Sequence, residues 1–202
     1  MALAAPRSDT RKEKPMQTPA ASSSPGTDEA SLAVAIRLLS RLPGPFNLEQ
    51  MRLFFHALRL SPSELAPFRL FDEDQYRRNR IHLNEHCELL LLCWQAGQRS
   101  KIHNHKGSLC GVRVLEGVAT ETVFERTPAG LAAPRETREL AVGSLAINAD
   151  TDIHQVANLQ TNGRPLVTLH LYSPPLRAME AFSPDPRPRL LPREEDCPEF
   201  HI

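Results

Sequence analysis

His103 and His105 stand two residues apart in Gly97-Gln98-Arg99-Ser100-Lys101-Ile102-His103-Asn104-His105. In an extended strand, positions i and i+2 face the same side, so the two imidazoles converge on one point. A third histidine, His154, follows in the segment from Gly143 to Asn158. Two histidines at this spacing are common as surface groups, but the glycine-bounded frame and His154 together point to a metal centre. Neutral imidazoles suit iron, zinc, copper and nickel alike, so the ligand types do not name the metal.

Such histidines need strands to hold them, and the chain supplies them from Tyr76 onward. Apolar residues there alternate with period two near 79–84, 87–96, 100–104, 109–116, 119–126, 137–141, 144–148, 153–158 and 165–173. Many short strands separated by Gly, Asn and Pro turns predict an all-β sandwich or barrel. Glu116-Gly117, between two alternating runs, predicts a tight hairpin. About three short helices are expected before the strands. Leu32, Ile36 and Leu39 form one apolar stripe, and Leu48, Met51, Phe55 and Leu58 form a second behind an Asn47 cap. Ser61-Pro62-Ser63-Glu64 is a capping-box start with proline at the first helical position. Their stripes are expected to cover the outside or the end of the sheet.

The 202 residues fit one domain. Residues 1–28 combine Pro, Ser, Ala and Thr without hydrophobic periodicity and are expected to be a disordered tail. Residues 29–182 form the single expected domain, and the proline-rich stretch 183–202 reads as an irregular extension. Lys+Arg and Asp+Glu are 24 each, so no polyanionic partner, nucleic acid or anionic membrane, is expected. A small ligand fits better. Cys87, Cys93, Cys110 and Cys197 show no CxxC spacing, there is no secretory apolar region, and no run reaches transmembrane length. A soluble protein of a reducing, cytoplasmic compartment is expected.

The frame itself is regular: Gly97, five residues, His103, one residue, His105, four residues, Cys110, six residues, Gly117; then Gly143, ten residues, His154, three residues, Asn158. This resembles the two motifs of the cupin superfamily, double-stranded β-barrels that hold a metal inside. Usual cupins carry glutamate where this chain has Cys110, and proline and glycine where it has Ala149 and Thr151. Without that carboxylate, three neutral imidazoles leave a divalent ion its full charge and open positions, which suits an anionic ligand and above all a thiolate.

Further segments narrow the resemblance: Tyr76-Arg77-Arg78-Asn79, Leu92-Cys93-Trp94, Ile102-His103-Asn104-His105, Leu115-Glu116-Gly117 with Glu121-Thr122, and Leu169-His170-Leu171-Tyr172-Ser173-Pro174-Pro175. Over about residues 30–182 the chain resembles the cysteine dioxygenases, thiol dioxygenases of the cupin superfamily. The resemblance implies a cupin-type barrel and one Fe(II) per chain, held by His103, His105 and His154. It implies oxidation of L-cysteine by O₂ to cysteine sulfinic acid, a step of cysteine catabolism. It also implies that Arg78 holds the substrate carboxylate with Tyr76 beside it. Tyr172 is then the active-site tyrosine and His170 the histidine bonded to it. Cys110 is the cysteine that in some members joins that tyrosine by a thioether, and the Ser173-Pro174 bond is cis.

Read without the resemblance, Arg78 belongs to a basic cluster with Arg77 and Arg80, which is usually a solvated face, and Cys110 is a small buried hydrophobe. Leu166, Thr168, His170 and Tyr172 alternate with Val167, Leu169 and Leu171, so one face is apolar and the other carries chemistry. His56, His82, His86 and His201 match no motif and read as surface or core residues. Rival functions are a dioxygenase for another small thiol acid such as 3-mercaptopropionate, whose enzymes usually carry glutamine at the Arg78 position, and a zinc or nickel cupin using metal-bound water. A non-enzymatic thiol or metal sensor is a third. A monomer is expected.

Overall fold

The helices start where side chains cap them. In the computed structural model, which describes Met1, residues 31–148 and residues 151–187, α1 (Leu32–Leu39) begins behind Ser31, whose hydroxyl accepts from the Val34 amide. α2 (Leu48–Ala57) begins behind Asn47, with Gln50 reaching back to the Asn47 amide, and α3 (Pro62–Leu65) begins behind Ser61 with Glu64 in the same reciprocal role. Each cap satisfies first-turn amides that have no carbonyl within the helix. α3 is a single turn running into a 3₁₀ turn at Ala66–Phe68, since Pro67 has no amide to continue the ladder. The expected tail 1–28 lies outside the described residues except for Met1, as do residues 188–202 of the expected extension.

Among the described residues ten strands follow: β1 (Arg77–Leu83), β2 (Glu88–Trp94), β3 (His103–Asn104), β4 (Leu109–Glu116), β5 (Ala119–Arg126), β6 (Ala132–Leu140), β7 (Leu145–Asn148), β8 (Ile153–Ala157), β9 (Leu166–Ser173) and β10 (Glu180–Ala181). They form two antiparallel five-stranded sheets, ordered β1-β2-β9-β4-β7 and β10-β3-β8-β5-β6. The chain is thus mainly β with three short helices in front, as expected, and among the described residues no strand pairing joins one sheet to the other.

The first sheet is covered on both faces. Leu89, Leu91 and Cys93 of β2 and Val167, Leu169 and Leu171 of β9 pack against Leu32, Ala35, Leu39, Met51, Phe55 and Leu58 of the helical segment. The alternate residues Leu90, Leu92, Trp94, Cys110, Val112, Val114, Leu166 and Tyr172 turn the other way and pack with Ala119 and Val156 of the second sheet. Period two therefore sorts one strand between a helix-packed face and the inter-sheet space. Gly111 of β4 lies under α2, where an added Cβ would sit 2.9 Å from the Met51 sulfur and overlap the Phe55 ring.

Three features depart from the sequence reading. Glu116-Gly117 does not make a hairpin: β4 pairs with β7 and β9, β5 pairs with β6 and β8, and the Gly117-Val118 link carries the chain from one sheet to the other. Gly117 has φ +78, and its missing side chain lets the turn press against the Pro165 carbonyl. β6 begins at Ala132, five residues before the expected 137. Pro134 concealed this start, but β6 is an edge strand, and the pairing with β5 shifts register between Val123 and Phe124 beside it. The two-residue β10, paired with β3, carries too little pattern to read.

Phe55 is fully buried where α2 meets the first sheet. Phe55→Ala is expected to destabilise the protein by about 3–5 kcal/mol, read as a lowered denaturant midpoint. A loss below about 1 kcal/mol would mean that α2 is not a structural cover for the sheet.

Candidate metal centre

β3 and β8 bring the first two imidazoles together, with His103 and His154 as direct partners across the strands. His105 follows β3, and the chain then turns through Lys106 (φ 41) and Gly107 (φ 98) into β4. All three rings are buried, with ring centroids 4.8–5.3 Å apart, and one nitrogen from each lies within 4.8 Å of the others. The Nε2 atoms of His105 and His154 are 3.2 Å apart.

The opposite nitrogens decide what faces the centre. His103 Nδ1 lies 2.8 Å from the Lys101 carbonyl, and His154 Nδ1 lies 2.8 Å from Glu121 Oε1. Both acceptors lack protons, since Glu121 is held ionised: burial pushes its pKa up, but hydrogen bonds from His154 and Arg138 outweigh that and hold it at about 2. His103 and His154 therefore donate from Nδ1 and leave bare Nε2 lone pairs. Burial, then the neighbouring His154, lowers His103 to about 4 and His105 to about 3. A buried cluster of neutral imidazoles with unprotonated nitrogens converging fits a divalent cation.

Against this cluster stands the helix-averted face of β9. Trp94 Nε1–H, which is only a donor, donates to Thr168 Oγ1 at 2.9 Å. Thr168 Oγ1 in turn lies 2.9 Å from His170 Nε2, and His170 Nδ1 lies 3.3 Å from the Tyr172 hydroxyl. Thr168 Oγ1, which accepts from Trp94, and the Tyr172 hydroxyl thus hold the two ring nitrogens of His170 between them. Burial holds His170 well below its ordinary value and Tyr172 well above, so both are neutral at physiological pH.

The remaining expected residues gather here. The Tyr172 ring centroid is 5.4 Å from that of His105, and the Arg78 guanidinium lies 5.4 Å over the Tyr172 ring. Cys110 faces Tyr172 directly across β4 and β9, and burial pushes its thiol far up, so it is uncharged. Tyr76 stacks on Trp94 at 4.0 Å. Ser173-Pro174 is cis. Of Arg78's basic neighbours, Arg80 turns to Glu88 at 3.1 Å. His56, His82 and His86 are not among the groups at the centre, and His201 lies outside the described residues.

Tyr76, Arg78 and His103 line two spaces at once. Outside them is a cavity of about 580 Å³ that also touches Asp72, Arg99, Lys101 and Met179. Inside is a pocket of about 10 Å³ walled also by Trp94, His154, His170 and Tyr172. The sequence reading gave no role to Thr168, Trp94, Glu121, Arg138 or Asn148. The signal for Thr168 was present, as it shares strand parity with His170 and Tyr172. Glu121 entered the reading only as part of the Glu121-Thr122 segment of the resemblance, with no role attached.

Residues 22–185 match the family described as Cysteine dioxygenase type I. Curated relatives include "Cysteine dioxygenase type 1" of Homo sapiens, 34% identical over 158 residues, covering 75% of this chain and 78% of the relative. The Danio rerio protein of the same description is 33% identical over 142 residues, 67% of this chain and 70% of the relative. A solved structure from Klebsiella pneumoniae, an uncharacterised protein with a double-stranded β-helix domain, is 14% identical over 59% of this chain and 88% of its own, with a TM-score of 0.47.

His103 and His105 titrate near 4 and 3 in the fold against 6.5 for a free imidazole, so below pH 6.5 the unfolded chain takes protons that the fold refuses. Glu121, lowered to about 2 from 4.5, acts with the same sign further down. Stability of the metal-free protein is expected to rise with pH from about 3 to 6.5 and then level off. Urea midpoints across that range check this, and a flat profile would mean that the imidazoles are not buried in their neutral form.

Proposed function

Because the chain belongs to the cysteine dioxygenase type I family, we propose that it adds both atoms of O₂ to the sulfur of L-cysteine, releasing cysteine sulfinic acid, with one Fe(II) held by His103, His105 and His154. The observation that carries the reading is a three-imidazole cluster in one pocket with Arg78, Tyr172 and His170. The atoms balance as R–SH plus O₂ giving R–SO₂H, with nothing released. Bound iron supplies a charge that makes thiolate available at neutral pH and a redox site for dioxygen.

The chain's own groups bind and orient. Arg78, at the boundary between the outer cavity and the inner pocket, is suited to clamp the substrate carboxylate by a bidentate bond, which selects amino acids and thiol acids over plain thiols. Tyr76, stacked on Trp94, walls the entrance. Tyr172 keeps its proton on Oη because burial disfavours the phenolate. The Thr168–His170 relay supports it from behind, leaving the hydroxyl to donate toward the reacting oxygen. The inner pocket, at about 10 Å³, has room for about one water-sized group, so the bulk of a substrate would lie toward the outer cavity.

The two sheets are taken as the halves of a cupin-type double-stranded β-barrel. The catalytic unit is residues 29–182, flanked by 1–28 and 183–202, and acts as a monomer. Cys110 and Tyr172, paired across β4 and β9, are placed to form a thioether. Joining the cysteine sulfur to a ring carbon releases two hydrogens, and their electrons go to O₂, the oxidant already consumed.

The deciding experiment is O₂ uptake by protein loaded anaerobically with Fe(II), with L-cysteine and 3-mercaptopropionate in parallel and products read by mass spectrometry. Uptake with cysteine and a product heavier by two oxygens is expected. Uptake only with 3-mercaptopropionate would keep the chemistry and overturn the substrate, and no uptake with either would overturn both. Arg78→Ala is expected to raise the KM for cysteine about 10- to 100-fold while iron content stays unchanged; iron lost in parallel would make Arg78 a structural residue. Intact mass after turnover is expected to fall by two hydrogens, and an unchanged mass would remove the crosslink.

A further inference from the structure

We propose that Glu121, clamped by Arg138 and Asn148, is a positioning residue that fixes the tautomer of His154 and sets how tightly the three-histidine centre holds its metal. The inference rests on the metal-centre reading above and concerns a residue that makes no direct contact with substrate.

The three ligands are backed differently. His103 has the neutral Lys101 carbonyl behind its Nδ1 at 2.8 Å, and His105 Nδ1 has no hydrogen-bond partner among the described residues. His154 alone is backed by a charge. Glu121 is 1% exposed, and both of its oxygens are used: Oε1 meets His154 Nδ1 at 2.8 Å and accepts from Asn148 Nδ2 at 3.1 Å, while Oε2 accepts from Arg138 Nε at 2.9 Å and Nη2 at 2.7 Å. A buried carboxylate carries a desolvation cost that a valine at this strand position would avoid. Its Arg138 partner is 43% exposed, so that pair alone is a weak reason for the carboxylate to be inside.

The bond to His154 is the better reason. A carboxylate accepting from Nδ1–H holds the ring in one orientation, keeps the proton off Nε2 and raises the electron density at that nitrogen. The centre has no carboxylate ligand among its three metal-facing side chains, and Glu121 brings one negative charge to a single hydrogen bond's distance from it. Arg138 and Asn148 fix the rotamer, so that the carboxylate cannot swing away from His154.

Glu121→Gln removes the charge while nearly conserving shape. Apparent dissociation constants for Co(II), a redox-stable stand-in for Fe(II), would be measured by chelator competition, with the Nδ1–H resonance of His154 followed by NMR in the Co(II)-loaded protein. E121Q is expected to bind Co(II) about 10- to 100-fold more weakly and to shift or lose that resonance. Arg138→Gln is expected to loosen binding about 2- to 10-fold. Equal affinity and an unmoved resonance in E121Q would overturn the proposal. A lowered melting temperature of the metal-free variant with an unchanged dissociation constant would make Glu121 merely structural. Should E121Q fail to fold, R138Q decides, and wild-type affinity there counts against the proposal. Failure of the wild type to bind Co(II) would instead overturn the metal centre itself.

Discussion

Burial of the first sheet on both faces is the constraint on which the rest depends. β2 and β9 are covered along their whole lengths, so each residue is committed to one side or the other by its parity. Val167, Leu169 and Leu171 meet the helices, while Leu166, Thr168, His170 and Tyr172 face the second sheet. A slip of one residue would bury His170 and Tyr172 against Phe55 and Met51 and turn the leucines onto the metal site, a cost large enough to fix the register. The capped helices and Gly111 serve the site in this indirect way, as the cover that makes the register unique.

Two charged side chains stand beside the histidine cluster and its pocket. The imidazoles of His103, His105 and His170, the Tyr172 phenol and the Cys110 thiol are all held neutral by burial. Glu121 provides an anion behind His154, and Arg78 provides a cation at the entrance. On the function proposed above, a zwitterionic thiol would enter with its carboxylate toward Arg78 and its sulfur toward the imidazoles, in an orientation set by charge.

The relay from Trp94 through Thr168 and His170 to Tyr172 shows how donor-only groups propagate order. Because an indole N–H cannot accept, the direction of its bond to Thr168 is fixed, and Thr168 in turn anchors the ring of His170. The carboxylate of Glu121 acts likewise from the acceptor side, since it can only receive from His154. The tautomer of His154 is thus set by a residue outside the set of metal-facing groups.

The sequence alone determined the strand periods, the helix caps at Asn47 and Ser61 and the i, i+2 pair at His103 and His105, because these are local patterns written within a few residues. Through the family resemblance carried by whole motifs it also raised expectations for His154, Arg78, Cys110, His170 and Tyr172, residues that the fold brings to one place. Tertiary structure alone decided that Gly117 crosses between sheets, since a two-residue link reads the same whether its strands pair with each other or elsewhere. It alone decided that Glu121 on β5 meets His154 on β8 and Arg138 on β6, 33 and 17 positions away along the chain. Such contacts depend on which strands become neighbours and in what register, and that is settled by the packing of the whole molecule.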